Sequence, residues 1–184
     1  KLKDQLFEKL NFNILEEKFI LITAHRRENI DSLNDICMAI KNLAINNNTI
    51  KFVFPVHLNP KIKKFIYKNL SNINNIILIQ PLNYCEFSLL MNYCKFIITD
   101  SGGIQEEAPS LGKPVLVIRE NSERPEAIEA GTAKLISSKS DKIFKEAQNL
   151  INDDVLFKEI ASLKNPYGDG NASKRIVEHI LKII

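Results

Sequence analysis

Asp100-Ser101-Gly102-Gly103, followed closely by Glu106 and Glu107, combines the residue types needed to hold both an anion and a polyol. Ser101 is of a helix-capping type. The paired glycines let a ligand approach backbone N–H groups at a helix start, where the dipole adds positive potential. Phosphate suits such a turn. A carboxylate one turn deeper could accept from two vicinal ribose hydroxyls, so the spacing suits a nucleotide. Glu106 and Glu107 would equally serve as ordinary complements to a helix dipole, in a plain strand–turn–helix junction. A second cluster, His25-Arg26-Arg27 within AHRREN, places three potentially cationic groups just past another strand end. The alternative there is a solvated charged loop. On one sheet edge, the two features could close on a single pyrophosphate. His57 lies at a third strand exit, where a lone histidine is ordinarily a structural hydrogen-bonder, and Arg119 and Arg124 follow a fourth.

The elements that must position these residues are legible as short apolar, β-branched runs alternating with helical spacing. Strands are predicted at Phe19–Thr23, Ile50–Val56, Asn75–Ile79, Phe96–Thr99, Val115–Ile118 and Ala133–Ile136. Between the first two, Leu33, Ile36, Cys37, Ile40, Leu43 and Ala44 recur with helical period. Pro60 opens a helix to Leu70, a further helix runs from Cys85 to Cys94, and one from Ser101 ends at Leu111-Gly112 ahead of Pro114. Pro125 starts a short helix that stops at Gly131. Beyond Ser138 the pattern is helical, with Ile143, Phe144, Ala147, Leu150 and Ile151 on one stripe, then a helix from Val155 to Leu163 and a last one from Ala172 to Ile184. At the start, Leu2, Leu6, Phe7 and Leu10 share a helix face. About six strands alternating with helices predict an α/β, Rossmann-like, doubly wound parallel sheet, which takes ligands at the carboxyl ends of its strands.

With 184 residues and neither repeat nor internal linker, residues 1–184 are expected to form a single domain. The formal charge of +3, without a Lys/Arg cluster interleaved with aromatics, argues against a nucleic-acid partner. Cys37, Cys85 and Cys94 lack metal-ligand spacing and are expected to be reduced core thiols; no metal site is expected. The apolar runs are too short to cross a bilayer and KLKDQLFEKL is not a signal peptide, so no membrane association and a cytoplasmic location are expected. The opening on a charged helix without Met suggests a fragment.

AHRREN at 24–29, PVHLNP at 55–60, TDSGGIQEEAPSLGKPVLVIRENSERPEAIEAGT at 99–132 and NPYGDGNASKRI at 165–176 closely resemble the C-terminal half of bacterial non-hydrolysing UDP-N-acetylglucosamine 2-epimerases. The resemblance implies the second, UDP-binding domain of a GT-B pair, with the N-terminal domain absent. It implies interconversion of UDP-GlcNAc and UDP-ManNAc: UDP is eliminated to leave a 2-acetamidoglucal, then returns to C1 after reprotonation at C2 from the opposite face. The proton-moving carboxylates would belong to the N-terminal domain, leaving this fragment inactive alone. By motif, His25 should lie near the diphosphate, and Ser101, Gly102 and Gly103 should hold phosphate oxygens. Glu107 should take the ribose hydroxyls, Phe87 should lie against uracil, and Arg124 should reach the sugar or diphosphate; His25 and Arg124 are the catalytic candidates. His57 and one of Arg26 or Arg27 resemble residues that contact a second, allosteric UDP-GlcNAc in some members. Leu82 departs from relatives that carry Gln there, removing one side-chain hydrogen bond to the base. Homodimerisation is implied, and the chemistry calls for no cofactor. A hydrolysing relative that releases ManNAc and UDP, and a non-catalytic nucleotide-sugar-binding module, are the alternatives.

Overall fold

A strand whose residues are all buried must be covered on both faces, and this is how β1 (Phe19–Thr23) is built. The structure, a computed structural model, describes residues 2–24 and 32–183. Successive side chains of a strand point to opposite faces. Ile20 and Ile22 therefore join one core and Phe19 and Leu21 the other. Over the first face lie α2 (Leu33–Asn46), α3 (Pro60–Leu70) and α7 (Ser140–Asn152). Over the second lie α1 (Leu2–Leu10), α4 (Tyr84–Tyr93), α5 (Gly102–Glu107) and α6 (Pro125–Glu129). The remaining strands are β2 (Lys51–Pro55), β3 (Ile76–Ile79), β4 (Ile97–Thr99), β5 (Val115–Ile118) and β6 (Ala133–Ile136). All neighbours pair in parallel, in the order β3-β2-β1-β4-β5-β6, which is the doubly wound architecture expected from the alternation. Two short helices, α8 (Asp154–Ala161) and α9 (Ala172–Ile180), follow α7.

Helix α2 buries every residue that its spacing marked, and Ala39 besides. Three expectations need correction. Phe7 is 52% exposed while Leu6 and Leu10 are buried, because on a short helix only the narrow stripe touching the sheet is covered. Cys37 and Cys94 are buried but Cys85, on the first turn of α4, is exposed. The single helix predicted from Ser101 to Leu111 breaks after Glu107 into a 3₁₀ turn, Ala108–Leu111. Pro109 has no N–H to return to the preceding turn, so the helix tightens there. Gly112 then closes it at φ 63°, a left-handed conformation open to glycine. Among the described residues, no helix is long and apolar enough to cross a membrane, and no group of three or more His, Cys, Asp and Glu could hold a metal ion.

Candidate functional site

From β1 the chain moves outward to β2 and β3 on one side; from β4 it moves to β5 and β6 on the other. The crevice outside the carboxyl ends of β1 and β4 is therefore the topological switch point, where such sheets bind ligands. Two threonines close its floor. The Thr23 and Thr99 hydroxyl oxygens lie 2.6 Å apart, buried, and the Ser101 N–H donates to Thr99 Oγ1 at 3.0 Å. The Asp100 N–H donates to the Thr23 carbonyl at 3.3 Å. The turn after β4 is thus tied to the end of β1 before α5 begins.

Ser101 occupies the N-cap position in extended conformation, but its hydroxyl makes no capping bond. Ser101 also lines the cavity beside this turn. Gly102 is buried as the first residue of α5, whereas Gly103 is exposed and a Cβ built on it would meet nothing within 4 Å. Nothing in the described fold demands glycine at 103, so its use there fits close approach of a ligand to the backbone. The cavity beside this turn has a volume of about 290 Å³. Its polar lining is Thr23, His57 and Ser101, and its apolar lining is Pro55, Pro81, Leu82, Phe87 and Ile104. An apolar slot with a few polar groups at one end suits a flat ring carrying a polar substituent. Leu82 contributes to its wall.

Glu107 stands at the far end of α5, where its Oε2 accepts from the Tyr84 hydroxyl at 3.2 Å. Arg124, the residue before α6, donates from Nε to the Glu106 carboxylate and from Nη1 to the Glu123 carbonyl at 2.9 Å. The hydrogen bond and charge of Glu106 push the Arg124 pKa up, so the guanidinium is a permanent cation. Arg119, read as a neighbour of the mouth, is buried and donates from Nη2 to Glu123 at 3.0 Å. His25, Arg26 and Arg27 lie outside the described residues.

Sequence reasoning missed the part that joins these pieces. Gln105 is fully buried; its Nε2 donates to the Ser101 carbonyl at 3.2 Å, and its Oε1 accepts from the Ser122 hydroxyl at 2.9 Å. Ser122 Oγ in turn accepts from the Arg124 N–H at 3.0 Å. One polarised chain of hydrogen bonds therefore links the turn at Ser101 to the loop bearing Arg124. The only local signal was a polar Gln beside Ile104, in a helix too short to show a period.

Three comparisons bear on this geometry. A family model described as UDP-N-acetylglucosamine 2-epimerase matches residues 1–181. The UDP-N-acetylglucosamine 2-epimerase of Campylobacter jejuni is 53% identical over 175 residues, which cover 95% of this chain and 45% of that protein. The crystal structure of UDP-GlcNAc 2-epimerase from Neisseria meningitidis bound to UDP-GlcNAc superposes with a TM-score of 0.91 at 48% identity, covering 98% of this chain and 49% of that one. The S. aureus MnaA–UDP co-structure gives a TM-score of 0.89 at 44% identity, covering 97% and 49%. This chain spans about half the length of the curated relatives it matches.

Proposed function

This chain belongs to the UDP-N-acetylglucosamine 2-epimerase family, and from that premise we propose that it is the C-terminal half that holds the UDP of a substrate whose sugar is epimerised at C2. The observation that carries the reading is the juxtaposition, at the switch point, of an apolar slot with the start of α5. Uracil enters the slot against Phe87. The ribose hydroxyls reach Glu107, and the phosphates meet the Ser101-Gly102-Gly103 turn. The Gly102 and Gly103 N–H groups are fixed in advance by the start of α5, and such donors stabilise charge as it grows on departing UDP without reorganising. Arg124 adds a cation on the same side, held in register with the turn through Gln105 and Ser122. His25, which lies outside the described residues, is proposed to act near the diphosphate on the strength of the AHRREN motif alone. In the whole enzyme, this domain would face a second Rossmann-like domain in a GT-B arrangement, and that domain would carry the carboxylates that move the C2 proton.

Isothermal titration of this chain with UDP, and with uridine as control, tests the binding half of the proposal. UDP binding that uridine does not match is the expected result; equal or absent binding of both by the folded chain would overturn it. The reaction is read on the intact protein supplied with UDP-GlcNAc. A mixture of UDP-GlcNAc and UDP-ManNAc is expected, whereas free ManNAc with UDP would mark a hydrolysing enzyme.

A further inference from the structure

We propose that Tyr84 is a positioning residue that orients the Glu107 carboxylate and so makes this nucleotide site demand ribose hydroxyls. The inference rests on the proposed UDP-binding function. Tyr84 and Glu107 come from different helices, 23 positions apart in sequence, and meet through a hydrogen bond of 3.2 Å from the phenol to Oε2. Tyr84 is 69% exposed, so its ring buries too little surface for packing to be its main contribution. The hydroxyl is the part of the side chain with a definite partner.

The backbone that presents Tyr84 is held from both sides. Asn83 caps α4, its Oδ1 accepting from the Glu86 N–H at 2.9 Å, while Glu86 Oε2 accepts from the Asn83 N–H at 3.3 Å. Glu86 is buried and paired with Lys9 of α1. Tyr84 therefore starts a helix whose first turn is fixed, and Phe87 stands one turn further along it. Base platform and ribose-site orienter share one rigid element. Glu107 is the last residue of α5, with freely rotating side-chain bonds; a donor on Oε2 holds the carboxylate plane and leaves Oε1 to accept from the vicinal diol. A carboxylate held in advance does not have to be ordered when the nucleotide arrives.

The test is isothermal titration of the full chain and its Tyr84→Phe variant with UDP and with 2′,3′-dideoxy-UDP. Removing one exposed hydroxyl leaves the fold intact, which circular dichroism on the same samples checks. The unsubstituted chain should bind UDP more tightly than the dideoxy nucleotide. Tyr84→Phe should narrow that ratio by roughly 3- to 10-fold, the scale of one net hydrogen bond, while binding dideoxy-UDP as the parent does. A variant that keeps the full ratio, or loses the same factor on both nucleotides, would overturn the role of Tyr84 and leave the UDP site standing. Failure of the unsubstituted chain to bind UDP would overturn the site, and this inference with it.

Discussion

Replacing Gln105 by Leu removes two hydrogen bonds from the join between the Ser101 turn and the Arg124 loop without changing side-chain size much. Both partners, Ser101 and Ser122, are only half-buried, and the Ser101 carbonyl at the N-cap also accepts the first intrahelical bond of α5, so neither is stranded without a partner. Each bond is worth about 0.5–1.5 kcal/mol net, so losing both costs about 1–3 kcal/mol, partly offset by the apolar Leu. We expect Gln105→Leu to destabilise the chain by about 1–2 kcal/mol, and Ser122→Ala by about 0.5–1.5 kcal/mol. Urea unfolding reads both as a lowered midpoint at unchanged slope. Because the two residues share one bond, the double variant should fall short of the sum of the single ones by about 1 kcal/mol. Additive effects would mean that Gln105 and Ser122 do not bond in solution. A Gln105→Leu variant within about 0.5 kcal/mol of the parent, no more than a surface substitution costs, would refute the network as a structural join.

Glu107→Ala should weaken UDP binding by about 1–3 kcal/mol in calorimetry through loss of charge-assisted bonds to ribose; unchanged affinity would remove Glu107 from the site. The Lys9 hydrogen bond holds the Glu86 carboxyl below its ordinary pKa, opposed by burial, so the pair's stabilisation is fully present above the ordinary carboxylate range. It is lost as pH falls through the lowered folded value. The stability gap between the parent and Glu86→Gln should accordingly close in acid, and a gap that widens there would contradict the pairing. Burial pushes Cys37 and Cys94 up to about 12, while Cys85 is exposed, so a thiol-specific chromogenic reagent should find one fast thiol in the native chain and all three after unfolding. Three equally fast thiols would show the core to be open. Gly112→Ala forces a Cβ into φ 63° and 3.0 Å from the Ala161 carbonyl oxygen; a lowered melting temperature, from a cost of about 1–2 kcal/mol, is expected, and an unchanged one would show that the loop relaxes freely.

The sequence by itself determined what the backbone repeats locally. Strand alternation has a period of two and helix faces a period of 3.6, so six strands, the buried stripe of α2 and the glycine stop at Gly112 could all be read without a structure. Ser101, Gly102 and Gly103 were legible for the same reason, since a strand, two glycines and a helix start are adjacent in the chain. Tertiary structure alone decided which strands are neighbours, and hence that β1 and β4 meet to place the crevice between Thr23 and Thr99. It alone decided the pairings Gln105 with Ser122, Glu106 with Arg124 and Tyr84 with Glu107, which are 17, 18 and 23 positions apart. A polar side chain has the same identity whether it faces water or a distant partner. The difference arises only when packing removes the water and leaves that partner as the remaining place for its hydrogen bond.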